Sequence, residues 1–333
     1  MIKYSIVLRT LGFGGEKYRA LLDSIKAQSI QPAEFLVIIP HGYDLPKERL
    51  GSETFIQSDK GMVKQRVVGI YEAKGDYLLI IDDDIAFPHD FVESLYSLLT
   101  HTHADMVSPR VDDAAGNIGS AGLISRIISF LSSGSYFTSK QSDYAIRISA
   151  LGGSIHTTKL EKDKIYYTQT GHGGCCFASR KAVQQLHFED ESWLEENITY
   201  AYPEDQVFFY KAYAIGMKTV YAHKSPFSHL DAGSTVNDSK ILIDKKTVKK
   251  HDSCRNLFIF WHRFQYSRIK KHSWLRLVSI ACISWKVSFN MMLNLLFYGL
   301  RPSMWKCIVA TWQGYADGYK FIKSDEYKKL PRI

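Results

Sequence analysis

Three aspartates in a row, Asp82, Asp83 and Asp84, close an apolar run at 77–81 in the stretch YLLIIDDDIAFPHDF. Adjacent carboxylates repel one another, and a buried strand that ends in them needs a compensating charge. A hard divalent cation supplies one. Oxygen donors select Mg2+, Mn2+ or Ca2+, and a Mg2+-like ion takes one or two protein carboxylates while substrate phosphates complete its shell. The rival explanation is a solvated acidic turn; the apolar strand before the triplet and the basic chain around it favour the cation.

Three weaker elements accompany the triplet. Glu204 and Asp205 in YPEDQ follow Pro203 at an expected helix start. A carboxylate there can serve as a general base, or merely complement the helix N-terminus, worth about 0.3–1 kcal/mol. His229 in PFSHLDAG offers a neutral imidazole as a further metal ligand, or is an ordinary surface histidine. KGMVKQR places Lys60, Lys64 and Arg66 around another helix start, either an anion site or a plain basic helix face.

The elements that must carry these residues alternate. Strand patterns at 4–10, 34–40 and 76–81 are separated by helical patterns at 14–29, with the stripe Tyr18, Leu21, Leu22 and Ile25, and at 61–75. This βαβαβ order predicts an α/β fold with a mostly parallel sheet flanked by helices. Ligands of such sheets sit beyond the carboxyl ends of the strands, where the aspartates fall. A helix at 88–102 and a strand at 104–111 follow. Residues 112–170, rich in Gly, Ser and Thr, read as a variable insert of loops with one short apolar helix, either over a site or a plain surface excursion. Order returns with the glycine-rich turn, strand and helix start of 171–183, the helix of 200–216 and a strand from 217.

The 333 residues carry a net charge of +8, with 45% hydrophobic and 23% charged residues, and a pI near 9.0. That is ample length for a real core and a basic balance that suits an anionic partner. From about residue 237 the composition shifts: between Lys240 and Arg276 there are eleven Lys/Arg against two aspartates, with aromatics interleaved. The 274–300 stretch is long enough to span a bilayer, but Ser279, Lys286, Asn290 and Asn294 form a polar stripe opposite Trp285, Phe289, Met292 and Leu296. An amphipathic helix lying on a membrane or on the domain is expected. No helix-turn-helix, RRM or zinc pattern accompanies the charge, so nucleic acid is not the expected partner. Five cysteines without a CxxC pair argue against a zinc site or disulfide framework, and MIKYSIVLRT reads as a first strand rather than a signal peptide.

In this order, SIVLRT, LLDSIKAQSI, GMVKQRVVGIYEAKGDYLLIIDDDIAFP, GHGGCCFASRKAV and YPEDQVFFYKAYAIGMKTVYAHKSPFSH resemble the family 2 glycosyltransferases of the GT-A fold, over roughly residues 3–230. RNLFIF, at 255–260, is similar to the tail of bacterial members that act at the membrane on lipid-linked or envelope glycans. The resemblance implies a Rossmann-like GT-A domain at 1–236 and a basic, aromatic-rich helical region at 237–333. It implies inverting transfer of a sugar from a nucleotide-diphosphate donor to a hydroxyl of a glycan or lipid-linked acceptor in envelope polysaccharide synthesis, with Mn2+ or Mg2+ as cofactor. The site residues it implies are Asp205 as general base, with Glu204 orienting it or the acceptor. Arg9, Arg66, Asp82, Asp83 and His41 would face the donor nucleotide, and Asp84, Asp82 and His229 the metal. An anionic membrane surface is the further expected partner, and the inner face of the plasma membrane, on the cytoplasmic side, the expected location.

One departure from the family pattern concerns the base. Members usually carry an aspartate just after the second strand; here the stretch is VIIPHGYD, which leaves His41 or a backbone group to read the base, with Asp44 displaced. Two rivals stand beside the resemblance. A metal-dependent nucleotidyltransferase would use the glycines of RTLGFGGEK, Gly12, Gly14 and Gly15, as a phosphate loop. A non-catalytic glycan- or lipid-binding protein would keep the fold alone.

Overall fold

The computed structural model describes residues 2–112, 122–230 and 239–333. Positions 113–121 of the expected insert, and the expected boundary at 236/237, lie outside the described residues. The chain opens with β1 (Tyr4–Arg9), α1 (Glu16–Lys26), β2 (Glu34–Pro40), β3 (Glu53–Ser58), α2 (Met62–Glu72), β4 (Tyr77–Asp82), the two-residue β5 (Ile85–Ala86), α3 (Phe91–Thr102) and β6 (Met106–Val111). β3 corrects the expected order: a strand stands between β2 and α2. Its sequence ETFIQS is half polar because it is the edge strand, paired only with β2, so one flank needs no apolar cover.

β3, β2, β1 and β4 run parallel, and both sheet faces are covered. The period-2 alternation of a strand divides the core. Val7, Ile38, Leu78 and Ile80 face Val63 and Ile70 of α2. Ile6, Leu8, Val37 and Leu79 face Leu21, Leu22 and Ile25 of α1 and Phe91 and Leu95 of α3.

The insert is more ordered than loops. It holds α4 (Leu123–Ser133) and the short strands β7 (Tyr136–Thr138), β8 (Tyr144–Ile148), β9 (Ser154–Thr157) and β10 (Tyr167–Thr168), which prolong the sheet beyond its far edge. β11 (Cys175–Ser179) then inserts antiparallel between β4 and β6. After α5 (Arg180–Gln185) and α6 (Glu204–Ala214), β12 (Thr219–His229) runs parallel to β6 and, at its end, antiparallel to β5.

The C-terminal region comprises α7 (Ser239–Phe260), continued by a π-helical turn at Trp261–Tyr266, α8 (Leu275–Tyr298), α9 (Trp305–Phe321) and α10 (Asp325–Lys329). Ile259, Phe260 and Phe264 belong to the same core cluster as Phe208 and Tyr210 of α6, so this region shares the sheet's apolar interior. Glu191, sealed from solvent, ties them further: Arg263 donates to both its oxygens at 2.8 Å, and Lys211 of α6 lies at 2.9 Å.

Candidate active site

Parallel register sets Arg9, the last residue of β1, beside Asp82, the last of β4. Arg9 Nε meets Asp82 Oδ1 at 2.5 Å and Nη2 meets Oδ2 at 3.1 Å. Arg9 Nη1 lies 3.3 Å from Glu204 Oε2, and Arg66 Nη2 3.1 Å from Glu204 Oε1. Two carboxylates and two guanidinium groups thus alternate in a chain that is buried at Arg9, Arg66 and Glu204 and opens to the cleft at Asp82. Burial alone would raise Asp82, but the paired Arg9 holds its carboxyl below the usual range. Burial lowers Arg66, against the opposing pull of Glu204.

This geometry revises three expectations. Arg66 lies in α2, is 1% exposed, and stacks on Phe208 at 4.7 Å. It faces Glu204 and the Gly173 carbonyl, at 3.2 Å, and not an open nucleotide cleft. Glu204, at 2% exposure, is beyond reach of an acceptor and is a positioning residue. Asp82 has each oxygen accepting one hydrogen bond from Arg9, which leaves only its remaining lone pairs, on the cleft wall, for a donor or a cation.

Asp83 and Asp84 diverge from it. Asp83 accepts a hydrogen bond from Thr10 Oγ1. Burial raises its carboxyl; Thr10 opposes this, and the charges of Asp84 and Asp82 add to it. Asp84 precedes β5, whose antiparallel pairing with β12 sets Ile85 opposite His229. Asp84 Oδ2 and His229 Nε2 are consequently 3.2 Å apart, and the His172 ring lies 4.8 Å from that of His229. No group of three or more His, Cys, Asp or Glu side chains in metal-holding arrangement occurs among the described residues. A carboxylate with an adjacent imidazole nevertheless fits a divalent ion whose remaining positions are filled by phosphate oxygens and water, and imidazole suits Mn2+ better than Mg2+.

Asp205 stands in the first turn of α6, half-buried, with Oδ1 accepting from Gln206 N at 2.8 Å. The glycine-rich turn before β11 packs directly on it. A Cβ on Gly173 would fall 2.9 Å from Asp205 Cβ and 3.7 Å from Arg9 Nη2. The absence of a side chain there lets the general-base candidate approach the Arg9–Asp82 pair. Sequence reasoning missed what holds the segment before Asp205. Asp252 of α7 accepts the N–H groups of Thr199 and Tyr200 at 3.0 and 2.8 Å. Arg255 donates to Trp193 O, and Asn256 to Leu194 O and Tyr202 O. The RN of RNLFIF is therefore a buried clamp, and the only signal for it was two polar residues opening an apolar helical run.

The aspartates border a cleft of about 580 Å3 that also takes in Phe13, Lys60 and Gln65. His41 is not on its wall; exposed, it meets Gln57 Oε1 at 3.1 Å. At that end of the cleft Phe13 packs edge-on against Tyr43, and Lys60 Nζ meets Tyr43 Oη at 2.5 Å. The anion expected at the start of α2 is the chain's own: Glu195 accepts the N–H groups of Val63 and Lys64, both at 3.0 Å. Gly12 and Gly14 of RTLGFGGEK serve packing, while Gly15 has open space and a φ of +94°. A Cβ on Gly12 would lie 2.0 Å from Asp44 O, and one on Gly14 2.5 Å from the Glu48 carboxylate, a poor neighbour for a triphosphate.

Residues 54–186 match the family model "Glycosyl transferase family 2". Among solved structures, GalNAc-T7 with UDP, GalNAc and Mn2+ superposes with a TM-score of 0.53 at 13% identity, over 87% of this chain and 54% of that one. This chain thus spans about half the length of that protein, and the likeness is one of fold. Residues 1–349 of S. aureus TarS give a TM-score of 0.43 at 13% identity, over 96% of this chain and 92% of that one, and nothing rests on that score. No match is found among curated proteins. The chain carries a family 2 glycosyltransferase segment on a GT-A-type α/β fold.

Proposed function

We propose that the protein is an inverting, metal-dependent glycosyltransferase that moves a sugar from a nucleotide-diphosphate donor to a hydroxyl of a glycan or lipid-linked acceptor of envelope polysaccharide. One observation carries the reading: Asp84 paired with His229, and Asp205 laid over Gly173 beside Arg9, sit around the carboxyl ends of β1 and β4. The GalNAc-T7 structure of like fold holds UDP and Mn2+. Asp84 and His229 would hold the ion. A divalent ion bound there supplies Lewis-acid stabilisation of a leaving diphosphate.

The chain's own residues do the rest. The free Asp205 oxygen takes the proton of the acceptor hydroxyl as that oxygen attacks the sugar's anomeric carbon from the face opposite the departing diphosphate. Glu204, locked between two arginines, fixes the helix start that aims Asp205. Phe13, Tyr43 and Lys60 offer the nucleoside an aromatic and cationic edge where His41 does not reach. The nucleotidyltransferase alternative loses its phosphate loop to Glu48.

The same reading places the protein peripherally at the inner face of the plasma membrane. Along α8 the polar stripe points inward: Ser279 accepts from Trp261 Nε1, Lys286 donates to Leu151 O, and Asn290 donates to Tyr315 Oη. The opposite stripe is largely exposed at Leu277, Trp285 and Leu296, beside the exposed Leu123, Ile124 and Phe130 of α4, to which Trp285 is tied by its Nε1 donating to Leu131 O. Arg268, Lys270, Lys271, Arg301 and Lys306 are exposed near its ends. An apolar face rimmed by cations suits an anionic lipid surface, at about 1 kcal/mol per basic residue near the surface.

Calorimetric binding of UDP, dTDP, GDP and CDP, each with and without Mn2+, tests the catalytic reading. Binding of one nucleotide that needs both Mn2+ and Asp84 supports it; Mn2+-independent binding, or none, overturns it. Flotation with phosphatidylglycerol vesicles tests the membrane reading. Wild type should float, and Leu277→Glu/Leu296→Glu should stay at the bottom.

A further inference from the structure

Across the Tyr200–Tyr202 segment from the aspartates lies a second cavity, of about 360 Å3, walled by α7, α8 and α9. Among the described residues its wall contains no carboxylate. Lys246, Lys249 and Lys250 border it, spaced so that one helix face presents all three. None of them has an acidic partner among the described residues. Lys246 and Lys249 are exposed and Lys250 half-buried, and all three ammonium groups approach aromatic rings. Lys249 Nζ lies 4.9 Å from the Tyr200 ring centre, and Lys246 and Lys250 lie 4.7 and 5.9 Å from that of Tyr298. The floor is polar: Asn294 Nδ2 reaches Thr311 Oγ1 at 3.3 Å, and Asn290 Nδ2 reaches Tyr315 Oη at 2.8 Å.

Unpaired ammonium groups around an acid-free polar hollow raise the local concentration of anions. Lysine supplies point charges with rotatable donors that suit a tetrahedral phosphate. The cavity also adjoins the chemistry. Tyr202 lines it three residues before Asp205, its ring parallel to that of Tyr200, with 9° between planes and 6.1 Å between centres. Burial and then the charge of Asp205 push the Tyr202 hydroxyl up to about 12.

We propose that this cavity seats a phosphate group carried by the acceptor, close to the hydroxyl that receives the sugar. The proposal rests on Asp205 being the base that activates that hydroxyl. The acceptor class it names is a phosphate-bearing glycan or glycolipid, its phosphate neutralised by Lys246, Lys249 and Lys250 while the donor diphosphate occupies the separate aspartate cleft.

The test uses the full chain in EDTA, which removes the metal-dependent donor site. Glycerol 3-phosphate is titrated calorimetrically into wild type, Asp84→Ala, Lys246→Gln/Lys249→Gln/Lys250→Gln, and Lys159→Gln/Lys162→Gln as a two-charge loss elsewhere. Flotation on vesicles containing phosphatidic acid is compared with pure phosphatidylcholine for the same proteins. A soluble phosphoglycan predicts glycerol 3-phosphate binding that Asp84→Ala and the 159/162 variant keep and the triple variant weakens roughly tenfold or more. A phosphate presented on a lipid predicts the same pattern in the phosphatidic acid arm alone. Loss of neither signal in the triple variant, equal loss in the 159/162 variant, or loss in Asp84→Ala overturns the proposal. Failure of the catalytic reading would show separately, as no Mn2+-dependent nucleotide binding.

Discussion

Asn256 of α7 holds the carbonyl of Tyr202 at 3.1 Å, and with the same amide holds that of Leu194 at 2.9 Å. One fully buried side chain of the C-terminal region thereby fixes the approach to Asp205. Asn256→Ala strands both carbonyls, at a cost of about 1–3 kcal/mol. Urea denaturation should show that loss, and donor hydrolysis should show kcat falling and KM rising together, because Glu195, Ile198, Thr199 and Ala201 of the loosened segment line the donor cleft.

Glu204 and Asp205 are neighbours with opposite predicted phenotypes. Glu204→Gln leaves the buried Arg66 without its counter-charge, and breaking a buried pair from one side costs about 3–5 kcal/mol. Asp205→Asn keeps the local hydrogen bond at the helix start and should leave the unfolding midpoint almost unchanged while slowing transfer by about 10²–10⁴-fold. Thermal unfolding and single-turnover transfer, measured on both variants, separate the two roles. An Asp205→Asn protein that transfers normally would remove Asp205 as the base.

On the proposed reading, His229 would set the choice of metal. Its imidazole nitrogen beside Asp84 favours Mn2+ over the harder Mg2+. His229→Ala should narrow the ratio of Mn2+- to Mg2+-supported nucleotide binding while leaving some Mg2+-supported binding through Asp84. An unchanged ratio would place His229 outside the metal shell.

Glu191 should make the union of sheet and C-terminal helices acid-sensitive. Burial would raise its carboxyl, but Arg263 and Lys211 overcome burial and lower it below its ordinary 4.5. A carboxyl lowered in the folded state contributes stability in full above its unfolded value, and loses it as pH falls through the folded one. The stability gap between wild type and Glu191→Gln, followed by denaturant titration, should be constant above about pH 5 and close progressively below about pH 4.5.

What the sequence revealed follows what is local. The uninterrupted apolar runs of β2 and β4, the aspartates closing β4 and the two stripes of α8 are each written within one short stretch of chain. β3 escaped because an edge strand needs apolar cover on fewer sides. The strands of the insert escaped because three of four residues in β9, and much of β7 and β8, are only partly buried. The Arg66–Glu204 pair and the seat of Glu195 on α2 join distant parts of the chain, and no local spacing encodes them. Arg66 looks like any helix-face cation until Phe208 and Glu204 close over it.

The inverted polarity of α8 governs how the molecule behaves on the bench. In a lipid-free buffer, another copy is the ready cover for the exposed stripe of Leu277, Trp285 and Leu296. On the proposed membrane reading, the particle mass seen by light scattering should track protein and detergent concentration, with detergent dissolving any dimer seated on this stripe.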